Sequence, residues 1–326
     1  MNLTGGAGYS GGRYSVKGSG ADIGSTNDAF NFTSQPWNGD GAIIARVKTQ
    51  QNTDPWAKAG VMFRETLASN SACAMVLLTP ANGSHLQART ITGGATADVA
   101  GPVVTAPYWL KLARSGSTFS ASVSSDGVNY VQMGATNMTM ASNVFAGFAV
   151  SSHTTNALST ASFDNVTVAA PPVITSQPTS VAVLPGGSVN FSVSADRVPP
   201  FGYQWQTNGV AIADATNATL SIAHVQPGEF VPHTVLVSNA GGSVLSQAVN
   251  LTLAVSRAIG SLGFASGTCT FSFPTELGPA YVVEYEYSLD DPSWQVLTNV
   301  PGTGAQITIT DNDPASPVKF YRIQVQ

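Results

Sequence analysis

Ala59-Gly-Val-Met-Phe-Arg64, followed ten residues on by Ala74-Met-Val-Leu-Leu78, decides how this chain folds. In the first stretch Ala59, Val61 and Phe63 fall on one side, and Lys58, Met62 and Arg64 on the other. A period of two is the spacing of a β-strand, whose successive side chains leave opposite faces. The second stretch is apolar throughout, as in a strand covered on both faces. The same reading extends outward. Ala42-Ile-Ile-Ala-Arg-Val47, Tyr108-Trp-Leu-Lys-Leu-Ala-Arg114, Phe119-Ser-Ala-Ser-Val123, Tyr130-Val-Gln-Met133 and Val144-Phe-Ala-Gly-Phe-Ala-Val150 each read as strands. Ser125-Asp126-Gly127 between two of them is a hairpin turn signal. That is about ten strands in the first 170 residues, enough for two packed sheets around one core.

Composition agrees. Only 10% of the 326 residues are charged, and Gly (32) and Pro (19) break the apolar runs into short pieces. Glutamate, a favoured helix former, occurs five times, at Glu65, Glu229, Glu276, Glu284 and Glu286. The net charge of -5 is unevenly spread. Residues 1–170 hold nine Lys/Arg against eight acids, and residues 171–254 hold Arg197 against Asp196, Asp214 and Glu229. Residues 255–326 hold three bases against seven acids. No basic stripe is visible along the chain, so nucleic acid and anionic membrane are not expected partners. A near-neutral chain rich in hydroxyl and amide groups suits an uncharged polysaccharide better. No run of about 18 apolar residues marks a membrane-spanning helix. Met1-Asn2-Leu3-Thr4-Gly5-Gly6 has neither the basic nor the apolar region of a signal peptide. For a secreted protein, Met1 is then expected to be an added start with natural sequence upstream. Nothing in the sequence fixes the oligomeric state.

Ala169-Ala170-Pro171-Pro172 is the clearest boundary, because two prolines end strand pairing. A softer one follows the strand-like Val249-Asn-Leu-Thr-Leu-Ala-Val255, at Ser256-Arg257-Ala258-Ile259-Gly260. The expected domains are 1–170, 171–255 and 256–326, all β. Cys73 and Cys269 then lie in different domains and are expected to be buried free thiols.

Several motifs in order carry a resemblance. Ser19-Gly-Ala-Asp-Ile23, Asp28-Ala-Phe-Asn-Phe32, Gly39-Asp-Gly41, Trp56-Ala-Lys-Ala-Gly-Val-Met-Phe-Arg-Glu65, Pro107-Tyr-Trp-Leu-Lys-Leu112 and Ser125-Asp-Gly127 resemble the bacterial concanavalin A-like, laminin-G-like domains. Within these they are most similar to the subgroup named for "regulation of enolase protein". The resemblance covers residues 9–168 and implies a jelly-roll sandwich. Where such domains often carry an aromatic after Asp-Ile, this chain has Gly24. Residues 172–254 resemble a bacterial immunoglobulin-like domain. Strands are expected at Gly186–Val193, Tyr203–Gln206 with a core Trp205, Leu220–Ile222, and a pair within Val235–Ser243. The inter-sheet disulfide is absent, and Pro227-Gly-Glu-Phe-Val-Pro-His233 replaces the usual Asp-x-Gly-x-Tyr corner. Residues 258–326 look like a fibronectin III-like module ending in Phe320-Tyr-Arg322.

The resemblance implies a fold that also serves polysaccharide-degrading enzymes, so catalysis has to be weighed. A glycosidase needs two carboxylates about 5–10 Å apart. Residues 1–170 contain one glutamate, Glu65, with no acid close by in sequence, and Asp40, Asp126 and Asp164 sit in turn or strand-end contexts. Arg64, Arg89, His85 and His153 have no diagnostic lyase spacing, no Gly-x-Ser-x-Gly elbow is present, and four histidines give no zinc spacing. The expectation is a non-catalytic extracellular binding protein, or the C-terminal part of a larger secreted one. Its partner is expected to be a polysaccharide or cell-surface glycan, with the second and third domains as spacer or surface attachment.

For sugar binding the candidates are Lys58 and Arg64 on one strand face, His85, Gln87 and Arg89 on another, and Trp37 and Trp56 in loops beside proline. Trp109, Trp205 and Trp294 are expected in the core. No cofactor is required. Phe163-Asp-Asn-Val166 resembles the element that holds a structural Ca2+ in many carbohydrate-binding sandwiches, which makes Asp164, with Asp22 and Asp28, the candidate ligands; the favoured alternative is that these side chains cap turns. The rival readings are an adhesive surface protein that binds proteins or itself, and a polysaccharide-degrading enzyme with an unrecognised site.

Overall fold

The computed structural model describes residues 3–183, 187–225, 229–253, 259–265, 267–288, 293–312 and 318–325. It is all-β, with no α-helix among the described residues. Among the described residues no helix is therefore long and apolar enough to cross a membrane, which says nothing of a β-barrel. The chain divides into two compact units, one of Met1–Pro178, Ser192–Ala218 and Thr234–Gln247, the other of Thr179–Phe191, Thr219–His233 and Ala248–Gln326.

The first unit is dominated by two sheets. Their strands are β1 (Gly6–Ser10), β2 (Arg13–Gly20), β3 (Asn31–Asn38), β4 (Gly41–Gln50), β5 (Lys58–Arg64), β6 (Cys73–Thr79), β7 (Gly83–Arg89), β8 (Ala97–Ala100), β9 (Tyr108–Ser115), β10 (Thr118–Ser124), β11 (Val131–Asn137), β12 (Asn143–Ser151) and β13 (Thr154–Ala169). Sheet A has the order β1-β2-β13-β4-β9-β10-β11, and sheet B the order β3-β12-β5-β6-β7-β8. Alternation decides what lies between them. Val16, Ile43, Ala45, Val47, Leu110, Leu112, Phe119 and Phe163 of sheet A meet Ala59, Val61, Phe63, Val76 and Phe148 of sheet B in one core. Phe148 stacks on Phe163 across the gap, with ring centroids 4.4 Å apart.

The expected faces of β5 hold, and β6 is covered twice, as its apolar run predicts. Ala74, Val76 and Leu78 enter the main core. Cys73, Met75 and Leu77, with Met62 and Ala149, form a second cluster on the outer face of sheet B. The lid on that cluster is the β2–β3 connection, which crosses the sheet and seats Ile23 on it with 2% of its surface exposed. Burying an isoleucine in this way contributes about 1.5–3 kcal/mol. The chain enters the crossing at Gly20, whose φ of +128° favours glycine and whose added Cβ would lie 1.9 Å from the Ala29 carbonyl oxygen.

In the remainder of the first unit, Gly202–Thr207 pairs with Val210–Ala211, and Leu236–Asn239 with Gly242–Leu245, within one four-stranded sheet. Trp205 is fully buried there and its indole donates to the Asn217 carbonyl at 3.0 Å. In the second unit, Val181–Val183 runs parallel to Leu251–Leu253. Two three-stranded sheets are built from Leu262–Ala265, Thr268–Pro274 and Gln306–Asp311, and from Gln295–Pro301, Ala280–Glu286 and Phe320–Val325. Both cysteines are buried free thiols. Pro227 and Gly228 of the altered corner and the linker residues Ser256–Ala258 lie outside the described residues.

Two of the expected core tryptophans differ. Trp109 alternates with Leu110 onto the outer face of sheet A and lies half-buried under the Arg46 guanidinium, 5.7 Å from the ring centre. Trp294 precedes its strand and is half-buried, with Arg322 4.4 Å over its ring. An indole beneath an arginine has its apolar face covered without entering a core.

Candidate functional site

The outer face of sheet B is the expected sugar-binding surface, and the crossing segment covers most of it. Lys58 at the start of β5 donates to Asp22 and, at 3.4 Å, to the Ile23 carbonyl. Arg64 at the end of β5 donates from Nη1 to Asp28 Oδ2 at 2.5 Å and from Nη2 to the Ala68 carbonyl at 2.5 Å. Arg89 at the end of β7 holds both oxygens of the same carboxylate, at 2.6 and 2.7 Å. Its remaining N–H groups reach the carbonyls of Ser25 (3.1 Å), Ser71 (3.1 Å) and Gly94 (3.1 Å). The Asp28 side chain is 0% exposed, and those of Arg64 and Arg89 are 2% and 0% exposed. The carboxylate holds the Arg89 guanidinium above the usual arginine range, and burial pushes the Cys73 thiol beside it upward. Lys58, Arg64 and Arg89 therefore form no open patch: they clamp the crossing segment onto the sheet.

The same contacts decide against calcium at the expected aspartates. Asp28 is saturated by two guanidinium groups, and one oxygen of the part-exposed Asp22 is bonded to Lys58. Asp164 receives both Nε and Nη2 of Arg46 at 2.7 Å, and that bonding holds its carboxyl below the usual range. A divalent cation needs oxygen ligands with unneutralised charge, and these three carboxylates each carry a cation already. Among the described residues no three His, Cys, Asp or Glu side chains are grouped to hold a metal. The donors do not fit the ion, so a thermal melt of the protein is expected not to move when calcium or a chelator is added. A calcium-dependent rise in Tm would show ligands other than these.

All eight carboxylates of residues 1–170 have structural partners. Beyond Asp22, Asp28 and Asp164, Asp40 accepts from the Gly116 N–H at 2.8 Å and Glu65 from that of Ala141 at 2.9 Å. Asp126 ties the Ser124–Asn129 turn, whose N–H groups hold its carboxyl far below the usual range. The last two, Asp54 and Asp98, stand at one corner of sheet B.

That corner is the part of the expected site that remains at the surface. Trp56 precedes β5 and is 41% exposed, its ring tilted against His85 with centroids 5.4 Å apart. His85 is buried beneath it, its Nδ1 2.9 Å from Asp98 and its Nε2 3.2 Å from the Asn82 carbonyl. Asp54 accepts from the Trp56 backbone N–H at 2.7 Å and lies 3.0 Å from His153 Nδ1. Asn82 donates to the Pro55 carbonyl at 2.9 Å, fixing the loop that carries Trp56. The result is an indole face propped from below and ringed by the part-exposed Asp54, Asp98 and His153. Trp37 is not part of this corner. It pairs with Val144 at one end of β12, while β5 brings Lys58 opposite Ser151 at the other. Its indole donates to Gly39 at 3.1 Å and its ring packs on the core. Gln87 is half-buried between His85 and Arg89. Asp54, Asp98 and Asn82 carry no signal in sequence, being isolated polar residues in turns and an edge strand.

Residues 171–239 match the family model described as immunoglobulin domain. No curated protein sequence matches the chain. Among solved structures it is similar to a functionally unknown protein from Saccharomyces cerevisiae (14% identity, TM-score 0.43, covering 52% of this chain and 95% of that one). It is also similar to the carbohydrate-binding module CBM66 from Bacillus subtilis (16%, TM-score 0.37, 52% and 93%). A third similar structure is domains A168–A170 of titin (11%, TM-score 0.30, 91% and 92%).

Proposed function

We propose that the chain is a non-catalytic extracellular binding protein whose first sandwich, residues 1–170, takes a glycan at the Trp56 corner. The reading treats that sandwich as concanavalin A-like. It treats residues 171–255 as an immunoglobulin-like spacer and residues 256–326 as a fibronectin III-like spacer or attachment module. The observation that carries it is the Trp56 indole, 41% exposed yet held rigidly from below by His85. A fixed aromatic face can lie against the apolar face of a pyranose ring, while carboxylate and amide groups around it accept and donate to the hydroxyls. The eight carboxylates committed to structural partners support binding over hydrolysis, which needs two acids free to exchange protons.

The test is retention of the whole chain on a panel of soluble and insoluble polysaccharides. Trp56→Ala is expected to weaken binding by about 2 kcal/mol, some thirtyfold, as loss of a central aromatic contact does. Unchanged retention would remove the corner from the reading, and no retention on any glycan would move it to an adhesive role. One observation favours that second role. The edge strand Leu262–Ala265 is exposed along its length, with Leu262 at 59% and Phe264 at 71%, an arrangement suited to pairing with another protein's strand.

A further inference from the structure

By count the first 170 residues are nearly neutral, but their charges are sorted by face. Of the nine basic residues, Lys58, Arg64, Arg89 and Arg114 are buried, and each is bonded to carboxylates or carbonyls inside the fold. The other five, Arg13, Lys17, Arg46, Lys48 and Lys111, belong to β2, β4 and β9 of sheet A. They alternate with the core residues Tyr14, Val16, Val47, Leu110 and Leu112, so they leave the sheet on its outer side. Contacts tie them to one surface. Arg46 and Arg13 both reach Asp164, at 2.7 and 3.9 Å, and Lys48 acts on the same carboxylate. Arg13 and Lys48 share a hollow of about 500 Å³ with Ser15 and Ser162, and Lys17 lines the adjoining one. Asp164 is the only acid among the strand residues of this face. Asp40 and Asp126 belong to turns at its ends.

We infer that the outer face of sheet A is a second binding surface, one that takes an extended anionic polysaccharide. Charge complementarity sets the sign: five cations against one carboxylate, on a protein whose net charge is -5. Register sets the shape. Lys111 pairs with Ile44, two residues from Arg46, while Lys17 pairs with Thr160, which bonds Gln51. The cations thus climb a diagonal about 25 Å long, from strand and residue spacings of about 4.8 and 3.3 Å. The β2 and β4 columns stand two strands apart, about 10 Å. That spacing is sparse beside the one charge per about 1.7 Å of duplex DNA, and it suits a polymer with an acid on every sugar or every second sugar. Two aromatic rings of this face are covered by its cations. Trp109 lies under Arg46, and Tyr130 under Lys111 at 5.9 Å. Between the cations stand hydroxyls, including Ser15, Thr160 and the paired Thr49 and Ser162, as sugar recognition needs.

The experiment compares binding of the whole chain to polygalacturonate, dextran sulfate and uncharged dextran across a salt series. It then repeats this with the triple variant Lys17→Gln, Lys48→Gln, Lys111→Gln, which spares Arg46 and its ion pair. Both charged polymers are expected to bind at least tenfold tighter than dextran, with affinity falling steeply with salt. A carboxylate-only response would identify a polyuronate, and a sulfate-only response a sulfated glycan. The triple variant is expected to lose about tenfold or more and to flatten the salt dependence while its Tm stays put. Dextran binding as well as the charged polymers in a Trp56→Ala background, which removes the glycan site proposed above, or an unaffected triple variant, would overturn the inference. So would tighter binding of duplex DNA or phosphatidylserine vesicles. Salt-sensitive self-association abolished in the triple variant would overturn it too, assigning the face to the acidic C-terminal segment of a second copy.

Discussion

Asp28→Asn is expected to cost about 3–5 kcal/mol of folding free energy, the range for breaking a buried ion pair from one side. The substitution barely changes shape. It removes the single negative charge that two guanidinium groups share, in a place where neither has access to water. Arg64 and Arg89 would then be buried cations with only neutral partners, carbonyls and the Thr96 hydroxyl. Relief by deprotonation is closed, because arginine stays charged in proteins. The loss should appear in urea unfolding as a lower midpoint with an unchanged slope. The protein should also shed its crossing segment early, read as faster amide exchange over residues 21–30 than in the parent. A loss below about 1 kcal/mol would mean that the clamp does not hold the segment down.

Phe163→Ala is expected to have a similar cost, about 3–5 kcal/mol, for a different reason. Phe163 is 0% exposed and stacks on Phe148, so it joins β13 of sheet A to β12 of sheet B at the centre of the sandwich. Removing it loses the transfer energy of the ring and leaves a cavity between two sheets whose hydrogen-bonded frames cannot close in on it. Phe163→Leu should recover more than half, because it refills most of the volume. The two variants separate by salt. Added salt leaves the Phe163→Ala loss untouched, as it acts on no charge, and it can modulate only the Asp28→Asn loss.

The sandwich was legible because its strands announce themselves. Period two in Ala59–Arg64 and the unbroken apolar run of Ala74–Leu78 placed the core faces correctly, and the buried Trp205 followed from its strand. The same two stretches also held the clue to the covered surface. A strand apolar on both faces requires something over its outer side, and that requirement conflicts with an open polar patch formed by Lys58, Arg64 and Arg89 on the neighbouring strands. The structure resolves the conflict in favour of burial. What the sequence does not display is the partner: Asp28 lies 36 residues from Arg64 and 61 from Arg89, in a segment without periodicity. The charge sorting was hidden for a related reason. A count of nine bases against eight acids says nothing of which are paired inside, and only strand register shows five cations on one face. Trp56 was legible as a loop tryptophan, but its support by His85 and the carboxylates around it depend on loops brought together by β5, β7 and β12.

The parallel pairing of Val181–Val183 with Leu251–Leu253 has a mechanical consequence. Because the two strands point the same way, tension applied through the chain on either side of residues 181–253 drags one lengthwise past the other. Their hydrogen bonds are then loaded together in shear rather than peeled one at a time. A segment joined in this way yields at a higher force than a hairpin unzipped from its end, so it can transmit a pull between whatever lies on its two sides without coming apart first.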